Sequence, residues 1–144
     1  MCSTAKKSAA HEAWALLLDV WLEHKHHFAE CAARHGLSIM QAHLLNGLEP
    51  DEPLRMNVIA TELEVDASHV TGIVDRLERS GLVERKALDG DRRVKLVVLT
   101  PQGAVVRRAL LEELLSPPDA LLELGGRDQR ALRDLLRQLL STPI

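Results

Sequence analysis

Residues 66–100 read DASHVTGIVDRLERSGLVERKALDGDRRVKLVVLT, and this stretch decides the fold. Val70, Ile73, Val74 and Leu77 fall at i, i+3, i+4 and i+7, the spacing that lays one apolar stripe along a helix. Asp66 stands at the N-cap position of that helix, and Ser80-Gly81 stops it. Beyond the stop the apolar period changes to two. Leu82–Ala87 and Arg93–Leu99 read as strands, with Val94, Leu96 and Val98 on one face and Arg93 and Lys95 on the other. Asp89-Gly90 between them is a hairpin signal, because glycine takes a positive φ at little steric cost. The expected unit is a helix followed by a β-hairpin wing.

Working upstream, a helix near Asn57–Leu63 should bury Ile59, Ala60 and Leu63. The short turn Glu64-Val65-Asp66 joins it to the next helix, which makes the pair a helix-turn-helix candidate. GLEPDEP, residues 47–53, is a loop by its prolines and acidic residues. Ser38-Ile39-Met40-Gln41 is a capping box opening a helix that runs to about Leu48, with Ile39, Ala42, Leu45 and Leu48 inward. A first helix from about His11 to Arg34 would be roughly 35 Å long at 1.5 Å per residue. Gly36 ends it. Along it Trp14, Leu17, Trp21, His24, Phe28, Cys31 and His35 recur three or four apart and form one stripe expected to be buried. Downstream, Thr100-Pro101 caps and starts a fifth helix reaching about Leu115, and Pro117-Pro118 breaks it. A last helix over about Arg127–Leu140 carries Leu132, Leu135, Leu136 and Leu139 on one side.

The fold class expected is mainly α with a small wing, and 144 residues suit a single domain able to bury a core without staples. Cys2 and Cys31 are too few for a disulfide framework, and Cys2 sits in a terminus expected to fray. No apolar run is long enough to cross a bilayer. The N-terminal basic pair is followed by His11, Glu12 and Asp19 rather than an apolar signal core, so a cytoplasmic protein with no membrane partner is expected.

The net charge of −3 argues against a non-specific nucleic-acid coat. Residues 85–95 nevertheless hold Arg85, Lys86, Arg92, Arg93 and Lys95 against only Asp89 and Asp91. Phosphate contact needs such a local field rather than a basic whole. There is no glycine-rich phosphate loop, nucleophile elbow or HExxH motif, so an enzyme is not expected. A winged helix that docks protein instead of DNA competes with the DNA reading, but it needs no basic Asp-Arg-Arg tip.

Three segments in order now carry a resemblance. LSIMQAHLLNGL, VIATELEVDASHVTGIVDRLERSGLVER and DGDRRVKLVVLTPQG are similar to the second helix, the helix-turn-helix with its strand, and the wing of the MarR family of bacterial winged-helix transcription regulators. The resemblance spans nearly the whole chain. It implies one MarR-like domain, with residues 37–100 as the DNA-binding lobe and residues 11–36 and 101–144 as a helical dimerisation region. The chain departs from the family where basic residues are common and it has Ala67 and Gly72. It departs again at Leu88 and Asp89 in the wing and at Gly125-Gly126 before the last helix.

The resemblance implies that residues 66–79 enter the major groove of double-stranded DNA. Ser68, His69 and Thr71 are small or polar and lie near the helix start; Gly72 would admit close approach, and Arg76 suits a phosphate or a guanine. In the wing, Asp91, Arg92, Arg93 and Lys95 are the candidates. Arg93 is favoured for a narrow minor groove, with Asp91 holding its guanidinium. A homodimer reading a pseudo-palindrome would place half-sites roughly 34–36 Å apart. Repression is the commoner outcome in the family.

The family also implies a small aromatic or phenolic effector, and Trp14, Trp21, His24 and Phe28 are candidates to line its seat. A metal-responsive reading of His27, Cys31 and His35 is weaker. Three ligands spread over nearly 12 Å of one straight helix cannot reach one ion, and a fourth, such as His43, would have to come from elsewhere. A redox-responsive reading is weaker too, since Cys31 falls mid-stripe and the chain lacks the tyrosines of the peroxide-sensing relatives. No cofactor or metal is expected.

Overall fold

Helix α4 (Ala67–Arg79) carries the centre of the core. Val70, Ile73, Val74 and Leu77 are all buried, each stabilising the fold by roughly 1.5–3 kcal/mol relative to exposure. The structure, a computed structural model, describes residues 8–141, so Cys2 lies outside the described residues. The same core cluster takes Cys31 and Ala32 from α1 (Ala9–Arg34), and Ala42, Leu44 and Leu45 from α2 (Ile39–Gly47). Ile59 of α3 (Met56–Glu62) and Leu110 of α5 (Pro101–Leu114) complete its helical part.

The wing is built as expected and is one strand wider. Strands β2 (Val83–Leu88) and β3 (Asp91–Leu99) pair antiparallel, with Val83 opposite Leu99, Arg85 opposite Val97 and Lys86 opposite Leu96. Gly90 turns the hairpin at φ +88, a conformation that side-chain-bearing residues rarely adopt. A two-residue strand β1 (Leu54–Arg55) adds to the other edge of β3, giving the order β1-β3-β2. Two residues after a proline carry no alternation, which is why the sequence reads there as loop.

Thr100 welds the foot of the wing to α5. Its hydroxyl donates to the Gly81 carbonyl at 2.6 Å and accepts the Gly103 amide at 2.9 Å, while its own N–H donates to the Leu82 carbonyl at 3.1 Å. The approach is so close that a Cβ on Gly103 would lie 1.9 Å from the Leu82 oxygen.

Several local expectations need correction. The capping box is present, with Gln41 N–H on Ser38 Oγ at 3.2 Å and Ser38 N–H on Gln41 Oε1 at 2.8 Å. Ile39 just inside it, however, is exposed. The buried face of α2 is rotated toward Leu44 and Leu48, which leaves Ile39 on the opposite side. Asp66 occupies the N-cap of α4 by its backbone, but its side chain accepts no amide. The stripe on α1 is buried only at its C-terminal end. Trp14 is 57% exposed and Trp21 62%, because no described residue of this unit covers the N-terminal part of the helix.

The chain forms two compact units that divide between Leu114 and Leu115. The second unit holds a short helix α6 (Asp119–Leu122), which the proline break conceals in the sequence, and α7 (Gly126–Ser141). Gln129 ties them, its amide nitrogen donating to the carbonyls of Leu121, Leu122 and Leu124. Between them runs an apolar groove lined by Pro117, Leu121, Leu132, Leu136 and Leu140. Among the described residues no helix is long and apolar enough to cross a membrane.

Candidate nucleic-acid interface

With one face of α4 in the core, the opposite face is left free. Ser68, His69, Thr71 and Arg76 are exposed and Gly72 is half-buried. A Cβ on Gly72 would meet no described residue beyond its own helix backbone within 4 Å, so the helix there is open to a close approach from outside. The Thr71 hydroxyl donates to the Ala67 carbonyl at 3.0 Å, which turns its lone pairs outward. The side chains of Ser68, His69 and Arg76 have no partner among the described residues.

In the wing, Asp91, Arg92, Arg93 and Lys95 are all exposed. Asp91 does not hold the Arg93 guanidinium as expected. Its Oδ1 accepts the backbone N–H of Arg93 at 2.9 Å. A short carboxylate reaches the amide two residues on more readily than a long side chain that extends away from it. This bond shapes the start of β3 and leaves the Arg93 guanidinium without a carboxylate among the described residues.

The five cations of residues 85–95 do not act alike. Arg85 is committed inside the lobe. Its Nη2 donates to Asp75 Oδ1 and, at 3.3 Å, to the Thr71 carbonyl; Nη1 stands 3.6 Å from Glu78 Oε1. Its backbone N–H donates to Glu78 Oε2 at 3.0 Å. Lys86, Arg92, Arg93 and Lys95 keep no carboxylate partner among the described residues. By contrast Arg34 pairs with Glu113 at 2.8 Å and Arg107 with Glu49 at 2.6 Å.

Two further cations escape the sequence reading. Arg79 is exposed and unpaired among the described residues, and it follows Ser68 by three turns of the same helix face. Following the outward stripe of α4 to its last turn would have found it. Arg55 stands opposite Leu96, whose other cross-strand neighbour is Lys86, so the two cations flank one apolar residue. Finding Arg55 requires strand β1, which leaves no pattern in the sequence.

The α1 candidates are not gathered into one site within this unit. Trp14, Trp21 and His24 are exposed, and Phe28 stacks on His43 with ring centroids 4.3 Å apart. From Trp14 to Phe28 the helix rises roughly 21 Å. His24 Nδ1 lies 2.8 Å from its own helix carbonyl at Val20. Nearer the core, Arg34 Nη2 donates to Cys31 Sγ at 3.1 Å, and a His27 ring nitrogen lies 3.6 Å from the sulfur. Burial pushes the Cys31 thiol pKa up, against a smaller pull downward from Arg34. Glu113 accepts from Arg34 and stands 2.8 Å from His35 Nε2. Its carboxyl is held below the ordinary 4.5, first by the Arg34 bond. Among the described residues no group of three or more His, Cys, Asp or Glu could hold a metal ion.

This geometry has relatives. A family profile described as the MarR family matches residues 35–94, from the end of α1 into the wing. The uncharacterised HTH-type transcriptional regulator YfiV of Bacillus subtilis is 34% identical over 93 residues, which is 58% of this chain and 58% of that protein. The chain therefore spans less than two thirds of that curated relative. The crystal structure of a probable transcriptional regulator from Pseudomonas aeruginosa is 30% identical with a TM-score of 0.58, covering 83% of this chain and 93% of that one. A MepR variant of S. aureus bound to an oligodeoxyribonucleotide shares the fold, with a TM-score of 0.70 at 23% identity over 90% of this chain and 96% of that one.

Proposed function

The chain belongs to the MarR family, and on that premise we propose that it is a transcription regulator that binds specific double-stranded DNA. The observation that carries this reading is the distribution of unpaired cations. In a chain of net charge −3, Arg76 and Arg79 on the outward face of α4, and Lys86, Arg92, Arg93 and Lys95 on the wing, face solvent without carboxylate partners among the described residues. A helix tip of small polar residues beside such a wing suits one major groove and an adjacent minor groove. Ser68, His69, Thr71 and Gly72 read base edges or admit the helix, and Arg93 enters the minor groove. Selection of bound duplexes from a randomised library tests this. Enrichment of a palindromic consensus is expected, and recovery of unselected sequence at moderate salt rejects it.

The regulator acts as a homodimer and, by the family prior, as a repressor. Trp14, Leu18, Trp21 and Leu22 fall at i, i+4, i+7 and i+8 on α1, and all are exposed; so are Leu135, Leu139 and Leu140 on α7. Apolar stripes of this extent mark association surfaces.

A small aromatic or phenolic effector completes the proposal. The support is the aromatic content of the α1 stripe. Since Trp14, Trp21, His24 and Phe28 are spread along the helix, the seat would be finished by the second copy. It would release DNA only by favouring a lobe spacing that does not fit the operator. Calorimetric titration with aromatic acids tests it, and neither heat nor operator release would remove those compounds.

A further inference from the structure

We propose that Arg85 is a positioning residue for DNA reading, a fork that fixes the wing to helix α4 and so sets the spacing between helix tip and wing arginines. The inference rests on the DNA-binding reading above. Arg85 shares its strand face with Val83, which is buried, and its cross-strand partner Val97 is buried as well. An arginine on that inward face cannot turn to a phosphate. It meets α4 instead, where Asp75, Glu78 and the Thr71 carbonyl take its side-chain donors.

Two features make the tie more than local packing. Beyond Ala87 the pairing register shifts, and no described side chain of residues 88–95 bonds to α4. Arg85 is therefore the last polar link between the helix and the free part of the hairpin. Its partners also matter electrostatically. Asp75 follows Gly72 on α4 and precedes Arg76 and Arg79, the groups proposed to meet DNA. A bare carboxylate there would repel phosphate, and the guanidinium neutralises it. A lysine could supply the charge but not the fork, since arginine alone offers planar, divergent donors.

The sign of one substitution separates this role from simple charge. Asp75→Asn removes a negative charge near the proposed DNA surface, so unaided electrostatics predicts tighter binding. The tie predicts the reverse. Duplex affinity of the full chain is measured by fluorescence anisotropy over a salt series, for a library-selected duplex and a scrambled one. Wild type, Asp75→Asn, Glu78→Gln and Arg85→Met are compared, with thermal melts checking the fold of each.

The expected result is that Asp75→Asn and Arg85→Met each lose about tenfold in preference for the selected duplex, the effect of one charge-assisted hydrogen bond. The salt slope of Arg85→Met stays at the wild-type value, because Arg85 touches no phosphate. Unchanged preference in Asp75→Asn with only a lower melting temperature overturns the proposal. So does a slope shallower by about one in Arg85→Met, which would make it a phosphate contact. Should Arg85→Met not fold, the two carboxylate variants decide alone. A wild type without any duplex preference rejects the DNA reading itself and this inference with it. A selective wild type beside an equally selective Asp75→Asn rejects only the tie.

Discussion

Gly72→Ala should make the protein more stable and a weaker DNA binder. Gly72 lies inside α4, where glycine is about 1 kcal/mol less favourable than alanine. The added methyl would meet no described residue beyond its own helix backbone within 4 Å, so no packing penalty offsets the gain. An increase of about 1 kcal/mol would raise the melting temperature by roughly 4 °C in a unit of this size. On the DNA side the same methyl enters the space through which the helix is proposed to seat. Forcing an extra methyl into a well-packed contact costs about 1–3 kcal/mol, a loss of roughly 5-fold to 150-fold in affinity. Urea denaturation followed by circular dichroism reads the first effect, and anisotropy with a selected duplex reads the second. A variant that is stabilised yet binds with full affinity would show that this face of α4 is not in close contact with DNA. A variant that is destabilised would refute the view that the position is open.

Gly103→Ala should have the opposite sign on stability. Its Cβ would lie 1.9 Å from the Leu82 carbonyl oxygen, which is backbone and cannot swing away. The strain, about 1–3 kcal/mol or more, exceeds the helical gain and should lower the urea midpoint. Trp21→Glu places a charge on the exposed α1 stripe; sedimentation should show a shift from dimer to monomer with helix content retained, and an unchanged dimer would remove α1 from the interface. Glu113 links pH to stability. Its carboxyl is held below 4.5 in the folded chain by Arg34 and His35, so it favours folding above that pH. The contribution is lost as pH falls through the depressed folded value. Acid titration of Glu113→Gln should show a weaker loss of stability below about pH 4.5 than wild type; parallel curves would contradict the linkage.

Much of this architecture is legible in the sequence because its signals are local. The stripe from Val70 to Leu77 is written in the spacing of a single helix, while the Ser38–Gln41 box, Asp89-Gly90 and Thr100-Pro101 are turns and caps set within a few residues, and each lies where its pattern says. What escapes depends on distant partners. Strand β1 exists only because β3 offers an edge to Leu54 and Arg55. Arg85 reads as one more wing cation until Asp75 and Glu78 are brought beside it. The α1 stripe is apolar but lacks a cover among the described residues of its own unit, so periodicity alone overstates its burial. Asp91 and Arg93 show the limit of motif reading. The pair is in contact, but through a backbone amide that the motif does not specify.

The most direct measurement is the salt dependence of binding to a selected duplex for wild type and Arg93→Ala. Arg93 has an exposed guanidinium with no carboxylate partner among the described residues, and it is proposed to sit in the minor groove. The substitution should weaken binding and make the slope of log affinity against log salt shallower by about one. Identical affinity and slope in the two proteins would mean that the wing does not touch DNA.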